Sequence, residues 1–171
     1  MKLSNLFKSL SLTTVSAISS FAILMLNQNK SLADTTGHIV EYSSKKCIGV
    51  HGGRTDNLAP IVLWDCVNHP DQIWTFHDDT STLTNKSGKC IGVYGGLTKD
   101  LTALVLTDCN GNLDQSWYFS VPSPAIVFNA KSYDKGLDQV IGADGGLSEN
   151  GTALVIADYN AAPDQLWSFQ P

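Results

Sequence analysis

Short apolar runs separated by polar turn residues fill the chain from residue 34 onward. Typical runs lie at 61–64 and 104–106, and clusters of Gly, Asn and Asp stand between them. Runs of this length, rich in β-branched and aromatic residues, are typical of strands. No window shows sustained apolar residues at the spacing of an amphipathic helix. The pattern predicts an all-β protein.

Three blocks of sequence recur in the same order three times. The first, x-Ile-Gly-x-x-Gly-Gly, occurs at 47–53, 90–96 and 140–146. The second, an apolar run followed by x-Asp-x, occurs at 61–66, 104–109 and 154–159. The third, Asp-Gln-x-Trp-x-Phe, occurs at 71–76, 114–119 and 164–169. In-register copies predict three repeats of about 40 residues, at about 36–77, 78–120 and 121–171, with a longer loop between Trp117 and Val140.

Positions that are identical in all three copies are interpreted as structural, because each repeat must make the same contacts around a pseudo-threefold axis. The predicted core residues are Gln72, Trp74, Gln115, Trp117, Gln165 and Trp167. Large aromatic side chains dominate burial energetics, and a buried amide must find partners for its donors and its acceptor. The glutamines are therefore expected to bridge backbone groups. Asp65, Asp108 and Asp158 are interpreted as structural for the same reason.

The cysteines follow the repeat. Cys47 and Cys66 are 19 positions apart, and so are Cys90 and Cys109. The third copy has Val140 and Tyr159 at the two matching positions, so both members of the pair are lost together. This loss predicts disulfides 47–66 and 90–109 in an exported protein. Zinc binding by the cysteines is the alternative, but no CxxC or HxxxH spacing occurs. No metal or other cofactor is therefore expected.

Charge is unevenly distributed along the chain. Of 11 basic residues, Lys2, Lys8 and Lys30 lie in the first 33 positions, whereas all 16 acidic residues follow them. The remainder of the chain is therefore acidic. Binding to nucleic acid needs a basic surface for the phosphates, so a nucleic-acid partner is not expected. An anionic membrane surface is disfavoured for the same reason.

Residues 1–33 resemble a secretory signal peptide. Lys2 and Lys8 supply the positive start, residues 15–26 are mostly apolar, and Ser31 and Ala33 are small residues at a cleavage site. The apolar stretch is about 12 residues long, too short to span a bilayer, although an uncleaved anchor is the alternative. We expect residues 34–171 to be a single secreted domain, extracellular or periplasmic, with no membrane insertion after processing.

The three Gln-x-Trp repeats, with a cysteine 19 residues before a Trp-Asp-Cys sequence, resemble the ricin B-chain-type lectin family. The resemblance covers nearly all of residues 36–170. It implies a β-trefoil of about twelve strands, four per repeat, in which a six-stranded barrel is capped by three hairpins. It also implies a non-enzymatic protein that binds glycans or polysaccharide in a shallow pocket on each repeat.

The resemblance locates the candidate sugar-binding residues. The family's acidic anchor, two residues after the first cysteine of a repeat, corresponds here to Gly49, Gly92 and Gly142. Its stacking aromatic corresponds to Trp64 in the first repeat but to Thr107 and Ala157 in the others. At most one good sugar pocket is therefore expected, in the first repeat. The carbohydrate-binding candidates are Trp64, Asp71, His51, Asp56, Tyr94, Asp114, Asp144 and Asp164.

Two alternatives remain at this point. Trp64 could be a partly buried residue at the end of a strand, with no role in binding. The glycines at 49, 92 and 142 favour a second hypothesis, in which the trefoil has lost sugar binding and serves as a protein-interaction or inhibitor module. The sequence contains no nucleophile elbow, phosphate loop or zinc-protease motif, so an enzyme is not expected.

Overall fold

The computed structural model describes residues 34–120, 124–128 and 138–171. Within these ranges the chain forms twelve β-strands and six short 3-10 turns, with no α-helix. No helix in this part of the chain is long and apolar enough to cross a membrane. The predicted signal peptide, residues 1–33, and most of the predicted longer loop, 121–123 and 129–137, lie outside the described residues.

The strands divide into three successive sets of four. The first set is β1 (Thr35–Glu41), β2 (Cys47–Val50), β3 (Ile61–Trp64) and β4 (Trp74–His77). The second is β5 (Thr82–Asn85), β6 (Cys90–Val93), β7 (Thr102–Thr107) and β8 (Trp117–Phe119). The third is β9 (Ile126–Phe128), β10 (Gln139–Ala143), β11 (Leu154–Asp158) and β12 (Trp167–Gln170). Each set has one 3-10 turn after its second strand and one before its fourth.

The first and fourth strands of the three sets form a closed barrel. Antiparallel pairing joins β12, β1, β4 and β5 in that order, and β8 pairs with β9. Two backbone hydrogen bonds of 2.7 Å, from Trp117 N–H to Ser81 O and from Trp167 N–H to Pro124 O, close the two remaining seams. Closure removes the exposed sheet edges that would otherwise pair with other chains.

The second and third strands form three antiparallel hairpins, β2–β3, β6–β7 and β10–β11. Neighbouring hairpins meet through the pairs Val155 with Ala103, Pro60 with Val105 and Val62 with Ala153. A six-stranded barrel with three linked hairpins is the β-trefoil, and the all-β prediction is confirmed.

The repeated tryptophans lie in the core in equivalent surroundings. Trp74, Trp117 and Trp167 are at most 1% exposed. Each indole N–H donates to the carbonyl of an isoleucine in the second strand of its own set, Ile48, Ile91 or Ile141, at 2.9 to 3.1 Å. Phe76, Phe119 and Phe169 pack against this core, and the Phe119 ring centroid lies 5.1 and 5.8 Å from those of Phe76 and Phe169.

Polar side chains and disulfides fix the loops of each repeat. The amide of Gln72 donates to Asp65 O at 3.0 Å and accepts from Val67 N–H at 2.8 Å, and Gln115 and Gln165 make the matching pairs of bonds. Disulfides join Cys47 to Cys66 and Cys90 to Cys109, which confirms the predicted pairing.

The repeated aspartates connect one repeat to the next. Asp65 accepts hydrogen bonds from Lys46 and from Asn150 of the third repeat, and Asp108 accepts from Lys89 and from Asn57 of the first. We call these two contacts the lysine clasps. The hydrogen bond from Lys46 lowers the pKa of Asp65 below its ordinary value.

The third contact of this kind differs from the lysine clasps. Gln139 takes the place of the lysine and donates to Asp158 at 3.1 Å, while Asp100 accepts from the backbone N–H of Asp158 at 3.0 Å. All three inter-repeat contacts use the aspartate of the x-Asp-x segment at the end of the third strand. Identity at these aspartates therefore serves the assembly of the repeats.

Candidate functional site

A cleft of about 360 Å³ opens on the first repeat, between the end of β3 and the two 3-10 turns of that repeat. Its lining is mixed, with apolar valines and an indole as well as imidazole and carboxylate groups. The lining residues are Val50, His51, Gly52, Gly53, Val62, Trp64, Val67, His69, Asp71 and Gln72.

Trp64 is the last residue of β3 and forms one wall of the cleft. It pairs in register with Cys47, and the Cys47–Cys66 disulfide ties the chain just beyond it. Its side chain is 40% exposed, in contrast to the buried tryptophans of the barrel. The end of a strand fixed in this way presents an aromatic surface to solvent at a defined position.

A glycine of the third repeat makes room for the Trp64 ring. Gly151 N–H donates to Leu63 O at 2.8 Å, and a Cβ on Gly151 would lie 3.5 Å from Cζ3 of Trp64. The same backbone bond in the other repeats runs from Leu58 to Leu106 and from Leu101 to Ile156. Thus leucine stands beside Thr107 and Ala157, and glycine stands beside tryptophan.

Asp71 lies across the cleft, in the 3-10 turn Pro70–Gln72. Its Oδ2 accepts a hydrogen bond from Val50 N–H at 3.1 Å, and its Oδ1 contacts Nδ1 of His69. The Asp71 side chain is 14% exposed. These contacts hold the carboxylate in one orientation, while each oxygen keeps lone-pair capacity for a further donor.

Gly49 explains how the carboxylate reaches this position. A Cβ on Gly49 would lie 3.1 Å from Oδ2 of Asp71 and 3.0 Å from Cγ of Gln72, so a side chain there would crowd both residues. Asp71 thus occupies the space beside the position where the family carries its acidic anchor. The acid in this cleft comes from the 3-10 turn and not from β2.

The matching regions of the other repeats contain the same aspartates without the aromatic wall. Asp114 and Asp164 lie beside Gly92 and Gly142, with Oδ2 3.6 and 3.3 Å from the position of a Cβ. In the second repeat Cγ2 of Thr107 would lie only 2.8 Å from a Cβ on Gly92, so the threonine methyl group covers that glycine.

The remaining candidates fall into three places. His51 begins the 3-10 turn after β2 and lines the cleft. Asp56 is ion-paired with Arg54 and is not among the lining residues of the cleft. Tyr94 and Asp144 occupy the position of His51 in the second and third repeats, where both are exposed.

Some residues of the cleft were not among the predicted candidates. His69 and Val67 belong to the segment between β3 and β4, and neither has an equivalent of the same type in the other repeats. Departure from the repeat was the signal that could have identified them, because it also distinguishes Trp64.

Three side chains elsewhere meet at distances that suit a metal ion. The ligand atoms of Asp34, His77 and Asp79 lie within 4.8 Å of one another. His77 Nδ1 lies 2.7 Å from a carboxylate oxygen of Asp34, and its Nε2 lies 2.9 Å from the hydroxyl of Thr84. Both ring nitrogens already have partners, so the cluster is a hydrogen-bonded contact at the end of β4.

A family model described as the ricin-type beta-trefoil lectin domain matches residues 35–167. No curated protein matches the sequence significantly. Similar solved structures include the agglutinin from Abrus precatorius, which is 23% identical with a TM-score of 0.67. That match covers 80% of this chain and 48% of the agglutinin chain, so this chain spans about half its length.

Two further structures are matched over most of their own length. The C-half of the earthworm R-type lectin, in complex with GalNAc, is 16% identical with a TM-score of 0.64, over 80% of this chain and 98% of that one. The β-trefoil lectin of the Vibrio vulnificus hemolysin/cytolysin, with N-acetyl-D-lactosamine bound, is 18% identical with a TM-score of 0.61, over 80% and 94%. At these identities the likeness shows the fold alone.

Proposed function

Because the chain belongs to the family of ricin-type β-trefoil lectin domains, we propose that it is a secreted, non-enzymatic carbohydrate-binding protein. Its principal sugar site is the cleft of the first repeat. The observation that carries this proposal is the exposed ring of Trp64 on the same cleft as the oriented carboxylate of Asp71.

The two groups supply what recognition of a sugar requires. The flat face of an indole packs against the apolar C–H side of a pyranose, which removes apolar surface from water. The Asp71 carboxylate accepts hydrogen bonds from sugar hydroxyls, and such charge-assisted bonds are stronger than neutral ones. His51 and His69 line the same cleft and offer further ring nitrogens.

The glycines at the family's acidic position are compatible with binding. Asp71 brings a carboxylate to within 3.1 Å of where the Cβ of residue 49 would stand. The hypothesis that sugar binding was lost rested on the absence of an acid at this place. In the first repeat the acid is present but belongs to a different element.

A shallow site with one aromatic wall binds weakly. We expect a dissociation constant near the millimolar range, about −4 kcal/mol, for a single sugar. The second and third repeats keep Asp114 and Asp164 but have Thr107 and Ala157 in place of the tryptophan. Useful avidity would therefore depend on clustered glycans or on several molecules acting together.

A glycan array probed with the purified protein tests the proposal, with Asp71→Ala and Asp114→Ala as a matched pair. Loss of hydrogen bonds to a charged group is worth about 1.5–3 kcal/mol, so Asp71→Ala should weaken binding about tenfold or more. Asp114→Ala should bind like the wild type. Equal binding by the wild type, Asp71→Ala and Asp114→Ala would show that the first-repeat cleft is not the sugar site.

The alternative function is a protein-interaction module. Exposed apolar side chains on the second repeat, including Tyr94 and Leu113, are the observation that favours it. This alternative predicts an array on which no glycan retains the folded protein.

Export is supported by the two disulfides, which persist in oxidising compartments. Sequencing of the amino terminus of protein recovered from the culture medium or periplasm tests it, and we expect a start close to residue 34. An intact leader on cell-associated protein would contradict export.

A further inference from the structure

A second cleft adjoins the first, and Gly53, His69 and Asp71 line both of them. The second cleft has a volume of about 310 Å³. Arg54 and Thr55 form one of its walls, and the turn of residues 85–87, between β5 and β6, forms the other. The second cleft is therefore built by the first and second repeats together.

Gly53, which lines both clefts, has no side chain to separate them. Its φ of 64° lies in the left-handed region that favours glycine, and a Cβ there would stand 3.1 Å from Cε1 of His69. The imidazole of His69 thus lies over a residue without a side chain. Because the two clefts share Gly53, His69 and Asp71, one ligand chain that starts at Trp64 can extend into the second cleft.

Two cationic side chains line the second cleft. Arg54 donates through Nε and Nη2 to Asp56, which leaves its Nη1 group to donate to a ligand. Lys86 forms no ion pair within the described ranges 34–120, 124–128 and 138–171. The one carboxylate among the lining residues, Asp71, is already bound to Val50 N–H and His69.

Arg54 is particular to the first-repeat site. Arg54 is the only arginine of the chain, and Leu97 and Leu147 take its place after the Gly-Gly turns of the other repeats. The net charge of the whole chain is −5. Asp56 offsets much of the charge of Arg54, so the ammonium group of Lys86 and the Nη1 group of Arg54 are the features that favour an anion at this cleft.

We propose that the second cleft is a subsite for an anionic sugar residue. In the glycan chain, this residue comes next after the sugar that stacks on Trp64. This inference rests on the proposed function, since the stacked residue holds the glycan in place. The shared chemistry is a carboxylate, as in sialic or uronic acids, or a sulfate. Guanidinium and ammonium groups bind both through charge-assisted hydrogen bonds.

The expected preference is modest because both cations are accessible to water. Exposed ion pairs contribute up to about 1 kcal/mol each, so an anionic glycan should bind about three- to tenfold more tightly than its neutral counterpart. Screening by salt should reduce this preference, since the contacts are close to the surface.

The test compares matched glycans on one array: galactose-, xylose- and mannose-type oligosaccharides in neutral, sulfated and sialylated or uronylated forms. Arg54→Leu introduces the residue found at the matching positions, so the fold tolerates it. Lys86→Ala removes the second cation. Lys99→Ala removes a lysine that lines neither cleft and serves as the control.

We expect Arg54→Leu and Lys86→Ala each to remove about half of the free energy of the anionic preference, so that a tenfold preference falls to about threefold, while binding of the neutral glycan stays unchanged. Lys99→Ala should keep the wild-type preference. The separate sulfated and carboxylated arms show which anion the subsite takes.

Equal binding of neutral and anionic glycans by the wild type, or a preference that survives both substitutions, would overturn the subsite and leave the proposed function intact. If no glycan of any form binds to folded protein, the proposed function fails and the subsite fails with it. Neutral glycans distinguish the two outcomes. If they bind the wild type and binding is lost in Trp64→Ala, the proposed function holds and only the subsite has failed.

Discussion

The end of β3 and the matching ends of β7 and β11 make the same backbone hydrogen bond but differ in where the large side chain lies. In the first repeat a large Trp64 faces Gly151 of the third repeat. In the second and third repeats the small Thr107 and Ala157 stand at the strand end, and leucine takes the place of Gly151. The same hydrogen bond of 2.8 Å is made in all three cases. The hairpins therefore tolerate either arrangement, and only the arrangement of the first repeat exposes an aromatic side chain.

This comparison separates residues that build the fold from residues that we propose bind the sugar. Trp74, Trp117 and Trp167 are identical, buried and hydrogen-bonded alike, as a threefold core requires. Trp64, His69 and Arg54 break the threefold pattern, and the first two line the cleft while Arg54 lines its neighbour. In a protein with internal repeats, asymmetry indicates function more directly than identity does.

The largest expected effect concerns the core. Trp74→Ala, Trp117→Ala and Trp167→Ala should each destabilise the fold by about 3–5 kcal/mol, because each removes a buried aromatic and its hydrogen bond. The three variants should resemble one another, since their surroundings are equivalent. Denaturant unfolding of purified variants measures this. A variant with unchanged stability would show that its repeat is not packed like the others.

Removing each disulfide in turn should have similar effects on stability but different effects on glycan binding. Replacing Cys47 and Cys66 by alanine removes a bridge that closes a loop of 19 residues, worth roughly 3 kcal/mol. It should also weaken glycan binding, because the bridge ties the chain beside Trp64. Replacing Cys90 and Cys109 should cost similar stability and leave binding unchanged. Equal effects of the two double variants on binding would contradict the asymmetry of the repeats.

Gly151→Leu copies the arrangement of the other two repeats into the first. The Cβ of the leucine would already be in van der Waals contact with Cζ3 of Trp64 at 3.5 Å, so its remaining carbon atoms should displace the ring. We expect glycan binding to fall about tenfold, equivalent to about 1.4 kcal/mol of lost stacking, with the fold retained. Leu101→Gly makes the reverse exchange beside Ala157 and should not change binding. Column retention of both variants measures the difference.

The smallest expected effect concerns acid pH and the lysine clasps. Hydrogen bonds from Lys46 and Lys89 lower the pKa of Asp65 and Asp108 in the folded protein. The clasps therefore stabilise the fold above the unfolded pKa of about 4, and this contribution is lost as the pH falls through the lower folded pKa. We expect the free energy of unfolding to fall on acidification below about pH 5.

The double variant Asp65→Asn/Asp108→Asn should lose less stability over the same pH interval, because its clasps do not titrate. Urea unfolding at neutral and acidic pH measures both proteins. Identical pH profiles would show that the clasps do not contribute to acid sensitivity.

Much of the fold could be predicted because its determinants repeat. The Gln-x-Trp blocks indicated the core tryptophans, and paired loss of cysteines in the third repeat indicated the bridges at Cys47–Cys66 and Cys90–Cys109. Local spacing determines these features, so they can be read within one repeat. The expectation of one good pocket came from the same comparison of copies, through the contrast of Trp64 with Thr107 and Ala157.

The contacts between repeats could not be predicted in this way. Gly151 beside Trp64, Asn150 on Asp65, and the cleft lined by both Arg54 and Lys86 each bring together residues of different repeats, and their proximity depends on how the repeats pack. No periodicity in the sequence encodes that packing. Asp71 was a candidate from the sequence, but its place beside Gly49 needed coordinates, because it depends on the direction in which one carboxylate points.

Trp64→Ala tests the central claim most directly, when thermal unfolding and glycan-column retention are measured on the same preparation. Small residues occupy the matching positions, so the variant should lose under about 1.5 kcal/mol of stability. Its retention should fall about tenfold or more, because stacking worth about 1.4 kcal/mol or more is lost. A variant that unfolds as early as Trp74→Ala would place Trp64 in the core. A stable variant retained like the wild type would contradict its role in binding.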